Sequence, residues 1–148
     1  NNALKIRKSV LVRGTDDNNI AISSLNRKML EKDTALIMVA LGSVYTRQKD
    51  FTKAQSTLSD ALSRVKTSWG PEHDCTGVAL AAIGDLRFAQ GKYAEAESYY
   101  KQAMAIRSKY HPLKELGVLV ANYTSVLKTL KKNKEANQLE VKTRTKSN

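Results

Sequence analysis

One spacing constrains this chain more than any other property. Gly42 and Gly84 lie 42 residues apart, and the residues around them coincide when the chain is shifted by that interval. Leu41 then meets Ile83, Phe51 meets Tyr93, Ala54 meets Ala96, Leu58 meets Tyr100, and Ala61 meets Ala103. A third copy runs from Gly117, and aligning Ala136 with Ala96 places Tyr123 on Ile83, Thr124 on Gly84 and Thr143 on Ala103. Upstream, Ala3–Lys8 (ALKIRK) matches Ala103–Ser108 (AMAIRS), so the chain opens inside the second half of an earlier unit. Repetition at this interval is the mark of a stack of small supersecondary units, each of which buries its apolar face only against its neighbours.

Each unit reads as two helices. Thr34–Lys49 carries apolar residues at Leu36, Val39, Ala40, Leu41, Val44 and Tyr45, a broad helical stripe broken at Lys49-Asp50. Phe51–Trp69 resumes with Ala54, Leu58, Ala61, Leu62 and Val65, and Gly70-Pro71 stops it. Asp74 or Thr76 is the expected cap of Gly77–Gln90, and Gly91 ends that helix. Tyr93–Tyr110 follows, then a break at His111-Pro112, and Leu113–Leu130 with Asn133–Thr143 form the last pair before a tail expected to fray from Thr143. The expected architecture is all-α: helical hairpins at Thr34–Val65, Gly77–Lys109 and Leu113–Thr143 with short connections. Residues 1–33 read as the end of a preceding repeat followed by a segment that is either inserted or degenerate, because Ala3 precedes Ala61 by 58 residues, 16 more than one period.

The middle copy carries Ile83-Gly84, Gly91, Tyr93, Ala96, Tyr100 and Ala103. That succession of small-Gly, Gly-x-Tyr-x-x-Ala and aromatic-x-x-Ala resembles the tetratricopeptide repeat. The 42-residue period, the loop Trp69-Gly70-Pro71-Glu72-His73 and the helix end Ala105-Ile106-Arg107 are similar to the kinesin light chain subgroup. The resemblance covers Thr34 to Lys142 and the fragment Ala3–Lys8. It implies a right-handed α-solenoid. It departs at Arg87, which stands where Tyr45 stands one unit earlier, and at Lys131 and Asn133, which stand where Gly91 and Tyr93 align.

The residue types suit such packing. Within a unit, Ala54, Ala96 and Ala136 mark the expected crossing of the two helices, where a small side chain lets the axes approach to about 8–10 Å. Gly42, Gly84, Ala61 and Ala103 supply further small positions, and Gly91 a turn. Tyr45, Phe51, Phe88, Tyr93 and Tyr100 are expected to fill the wider space between units. The resemblance also implies a concave face formed by the first helix of each pair, which in the family binds extended peptides or partner helices. Its groove positions fall on Val39, Ser43, Thr46 and Arg47, on Ala81, Asp85, Phe88 and Ala89, and on Ala121, Asn122, Ser125 and Lys128. The carboxylate clamp of chaperone-binding members would need Lys, Asn and Arg where this chain has Val39, Ser43, Ala82, Val118 and Asn122, so that clamp is not expected.

Charge adds a direction. The net charge is +11, and residues 101–148 carry 11 basic against 3 acidic side chains. Lys128, Lys131, Lys132 and Lys134 cluster at the last hairpin turn; such a basic surface suits an acidic protein segment, nucleic acid or anionic lipid, or is a solvated tail, and an acidic protein segment is the candidate partner carried forward. Arg47, Asp85 and Lys128 repeat no base-reading code, which disfavours nucleic acid. No apolar run reaches the ~20 residues of a membrane span. One cysteine, Cys75, excludes a disulfide framework and is compatible with a reducing compartment. His73 and His111 sit in loops beside proline and are read as structural, no phosphate loop is present, and the chain is read as neither enzyme nor cofactor carrier. The chain starts at Asn1-Asn2 without Met and reads as part of a longer chain or a multi-subunit complex. The leading function is a scaffold or adaptor that holds a partner peptide or helix. The alternative is a structural subunit fixed in a larger assembly, and RNA binding ranks third.

Overall fold

The computed structural model describes residues 26, 29–30 and 33–145. The readings of Ala3–Lys8, the Asp/Asn-rich loop and most of Ile20–Leu30 lie outside the described residues. Among the residues from 33 to 145, six α-helices follow one another. The first, α1, includes residues 33–47; α2 is Phe51–Trp69, α3 Asp74–Ala89, α4 Tyr93–Arg107, α5 Gly117–Thr129 and α6 Asn133–Thr145. No strand occurs among the described residues. They form an α-solenoid of three antiparallel hairpins.

The hairpin turns share one construction. Lys49, Gly91 and Lys131 adopt φ of 61°, 75° and 60°. In each, the next amide reaches back five residues: Asp50 to Tyr45 O at 3.0 Å, Lys92 to Arg87 O at 2.9 Å, and Lys132 to Leu127 O at 2.8 Å. The left-handed residue itself donates to the carbonyl three back, at Thr46, Phe88 and Lys128. This pair of bonds closes a helix whose last carbonyls have no partners within it. The lysine at position 131 therefore takes the role of Gly91, with the strain of a side chain in the left-handed region.

Helix starts are specified locally. Asp50 caps α2, its carboxylate accepting from Lys53 N at 3.2 Å. The cap of α3 is neither Asp74 nor Thr76 but His73, whose Nδ1 accepts from Cys75 N at 3.2 Å. The ring is held for that task between Trp69, 4.9 Å away, and Tyr110, 6.1 Å away. Leu113–Leu116 winds as a 3-10 turn ahead of α5, so the last pair starts later than its apolar pattern suggests. Thr143 and Arg144, expected in a frayed tail, continue α6.

Two large apolar clusters join the units, and a smaller one of Ala35, Val65 and Cys75 joins the first two. Ala54, Leu58 and Ala61 of α2 pack with Val39 of α1 and with Ala79, Ile83 and Leu86 of α3. Tyr100, Ala103 and Ile106 of α4 pack with Leu80 of α3, Leu119, Tyr123 and Val126 of α5, and Ala136 of α6. Helix α3 lies between both clusters and is buried almost all round, as its apolar composition requires. Ala54, Ala96 and Ala136 are fully buried at the crossings. A Cβ on Gly42 would lie 2.5 Å from Leu58 Cγ, and one on Gly84 would lie 2.9 Å from Tyr100 Cε1. The third unit replaces the glycine with Thr124, and its partner position with Glu140.

The aromatic residues divide. Tyr100 is buried, whereas Tyr45 and Phe51 are half-buried. Phe88 and Tyr93 do not fill the inter-unit space as expected. They meet edge to face, with centroids 5.5 Å apart, at an exposed turn. Arg87, one residue before Phe88, points instead to Glu95, 3.0 Å away, and donates to Gln90 at 2.9 Å.

Candidate functional site

A cleft opens between α1 and α3. Ser43, Thr46 and Arg47 of α1 and Lys49 of its turn meet Asp85 and Ala89 of α3 around a cleft of about 490 Å³. Helical spacing explains the convergence: 43, 46 and 47 share one face of α1, and 85 and 89 one face of α3. The hydroxyls are already engaged, Ser43 donating to Val39 O at 3.0 Å and Thr46 to Gly42 O at 2.9 Å, so each offers a guest its oxygen as an acceptor. Arg47 is exposed at the rim. Lys49 was not foreseen as a groove residue; its neighbour Asp50, a capping residue, was the available signal that position 49 turns out of the helix.

Asp85 anchors the wall. Its Oδ1 accepts from the Tyr100 hydroxyl at 2.5 Å and from Asn122 Nδ2 at 2.8 Å. One carboxylate thereby ties α3 to α4 within its own unit and to α5 of the next. Burial pushes its pKa above the ordinary aspartate value of 3.8, although Tyr100, Asn122 and the Arg47 charge all act in the opposite direction. The Tyr100 hydroxyl is pushed well above its ordinary value by burial first, then by the Asp85 charge. Asn122, read as a candidate ligand contact, is therefore a strut between units.

The other proposed groove residues separate. Val39 turns inward and packs with Ala54 and Leu58, because the broad apolar stripe of α1 includes it. Ala81 is half-buried against the α4–α5 cluster. Phe88 stands at the exposed turn. Ala121, Ser125 and Lys128 line a second hollow with Glu140 and Arg144 of α6, since Lys128 Nζ is drawn to Glu140 at 2.8 Å. Lys128 and Lys131 do not share a helical face: Lys131 leaves the helix at its left-handed φ. Lys132 is engaged too, 2.7 Å from Glu97 across the unit boundary.

The inter-unit loops are cross-braced on another side. Arg107 lies 3.1 Å from Asp74 Oδ1 and His111 Nε2 lies 3.2 Å from Asp74 Oδ2. Burial pushes Asp74 up, but the hydrogen bonds and charges of His111 and Arg107 outweigh it and hold the carboxyl below 3.8. Tyr110 donates to Glu72 O at 3.0 Å. Both histidines thus serve the fold.

A family model described as tetratricopeptide repeat matches residues 33–109, just over half of the 148-residue chain. The chain belongs to the tetratricopeptide repeat family. Members of this family mediate protein–protein contacts and scaffolding. Over 81 residues the chain is 27% identical to Protein KINESIN LIGHT CHAIN-RELATED 3 of Arabidopsis thaliana, a match covering 55% of this chain and 12% of that protein. The fold matches the crystal structure of BtubC (BKLC) from P. vanneervenii with a TM-score of 0.70 at 18% identity, over 86% of this chain and 52% of that one. At that identity the likeness is one of fold. The tetratricopeptide segment thus spans only part of either relative. No described helix is long and apolar enough to cross a membrane.

Proposed function

We propose that this tetratricopeptide segment is a scaffold that holds a partner peptide or helix in the cleft between α1 and α3. The observation that carries the reading is the convergence of Ser43, Thr46, Arg47 and Lys49 on Asp85 and Ala89 around one concavity. Its chemistry selects the guest. Arg47 and Lys49 favour an acidic side chain at the rim, by charge-assisted hydrogen bonds. Asp85 and the hydroxyl oxygens of Ser43 and Thr46 accept from guest N–H groups, and Ala89 leaves room for a guest side chain. No chemical step is assigned to the site: the family's role is scaffolding, and the partner-binding surface is the function.

A photo-crosslinking residue placed at Ala89 tests this in an extract of the source cells. It should capture a discrete protein, and Arg47→Glu with Lys49→Glu should abolish capture without changing the circular dichroism spectrum. The same residue placed at Gln102, exposed on α4, should capture nothing comparable. Equal capture from both positions, or capture indifferent to the charge reversals, would overturn the reading.

A further inference from the structure

The first helix leaves an apolar stripe open to solvent. Leu30, Ile37, Leu41 and Val44 are 67%, 68%, 43% and 42% exposed. One unit later the positions of the last three hold Ala79, Ile83 and Leu86, at 0%, 3% and 0%, and one unit further Leu119, Tyr123 and Val126, at 4%, 9% and 0%. The helical register reaches back to Leu30, whose carbonyl accepts the Thr34 hydroxyl at 2.7 Å, and forward to Gln48, whose amide donates to Val44 O at 3.0 Å. Leu30, Thr34, Ile37, Leu41, Val44 and Gln48 follow one another at intervals of 4, 3, 4, 3 and 4 residues. That alternation is the seam of a two-helix coiled coil, and one copy of it lacks a mate. One flank of the seam, Met38 and Tyr45, packs within the chain against the cluster of α2 and α3. The other flank, Asp33, Ala40 and Arg47, is exposed.

We propose that this seam is the contact between two copies of the chain, paired antiparallel about a twofold axis level with Val39. In that register Ile37 lies on Leu41 of the second copy, Thr34 on its Val44 and Leu30 on its Gln48, and every contact occurs twice. The open flank decides the direction. An antiparallel pair sets the same flank of both copies side by side, so Asp33 faces Arg47 at each end and Ala40 faces Ala40 in the middle, where small side chains let the helices close. A parallel pair would set the open flank of each copy against Met38 and Tyr45, which are already packed within the chain. Exposed ion pairs contribute little, so the apolar seam carries the association and the charges set its direction. Head-to-tail stacking fits poorly. Tyr100 and Ala103 of α4 cover α5, but the corresponding residues of α6 are Glu140 and Thr143, a polar edge that the seam would desolvate.

Sedimentation equilibrium of the full chain over a concentration series tests this. The expected result is a reversible equilibrium between monomer and dimer. Leu41→Glu should weaken dimerisation at least about tenfold, because it puts a carboxylate into the seam. Val118→Glu, at an apolar side chain 78% exposed on α5, should not. Asp33→Arg should weaken dimerisation at least about fivefold, since both end pairs become repulsive, and adding Arg47→Asp should restore it. Circular dichroism spectra matching the parent's show that each variant is folded. A monomer at every concentration overturns the proposal and leaves the seam to another part of the chain or to another protein. A dimer indifferent to Leu41→Glu overturns it too, as does one that the exchange of Asp33 and Arg47 fails to restore.

Discussion

The ring of Tyr100 lies against Gly84, with its Cε1 2.9 Å from where a Cβ on that glycine would stand. The ring is buried and its hydroxyl is bound to Asp85, so it has no room to yield. Gly84→Ala should therefore destabilise the fold by about 1–3 kcal/mol, the usual cost of overpacking. Gly117→Ala is the contrast. A Cβ there meets nothing within 4 Å, at an ordinary helical φ of −49°. It should be neutral or stabilising by up to about 1 kcal/mol, through reduced freedom of the unfolded chain. Urea denaturation of both variants gives the comparison.

Left-handed lysines yield a gain of the opposite kind. Lys49 and Lys131 hold φ of 61° and 60° in turns where Gly91 holds 75°. Lys49→Gly and Lys131→Gly should each stabilise by about 1 kcal/mol, the strain of a Cβ in that region. Thermal melting should show a rise of about 2–4 °C per substitution for a chain of this size. Gly91→Lys should show a fall.

The two aspartates respond to acid in opposite senses. Asp74 is held below 3.8, so its contribution is fully present above that pH and is lost as the pH falls through its lower folded value. Asp85 is raised above 3.8, so its ionised form weakens the fold at neutral pH, and that penalty disappears as the pH falls through its folded value towards 3.8. Asp74→Asn should therefore flatten the acid limb of stability against pH below 3.8. Asp85→Asn should remove a stability gain just above 3.8. Denaturant midpoints measured from pH 7 to pH 3 separate the two.

Asn122 links units through the same carboxylate. Asn122→Ala removes one of two donors to Asp85 Oδ1. A loss of about 1–3 kcal/mol is expected, because a charged acceptor is left with fewer partners. The paired change Asn122→Ala with Asp85→Ala should cost less than the two single losses added, since each single variant removes the same bond. A double-mutant cycle in urea reads this directly.

Much of the fold was legible because it depends on small residues at fixed spacing. Ala96 and Ala136 are fully buried, and repetition displays the small residues at those positions. The closing of the last turn was not legible: Lys131 takes the place of Gly91 with a backbone conformation its side chain gives no sign of. His73 escaped notice as a cap because the usual capping residues, Asp74 and Thr76, follow it closely. The groove was less legible still. Helical spacing brings Ser43, Thr46 and Arg47 to one face, while Val39 turns inward with the apolar stripe of α1 although the repeat assigns it to the groove. The Asp85–Asn122 bond joins residues 37 apart, and no local pattern announces it. Lys128 follows its nearest carboxylate, Glu140, rather than the groove positions to which the repeat assigns it.

The central claim is that a partner protein seats in the cleft between α1 and α3. Hydrogen exchange of the chain with and without the protein captured at Ala89 measures this most directly. Bound partner should slow exchange in residues 43–49 and 85–89, leaving residues 94–107 of α4 unchanged. Slowing confined to α4, α6 or the stripe of Ile37, Leu41 and Val44, with the cleft unaffected, would contradict the account.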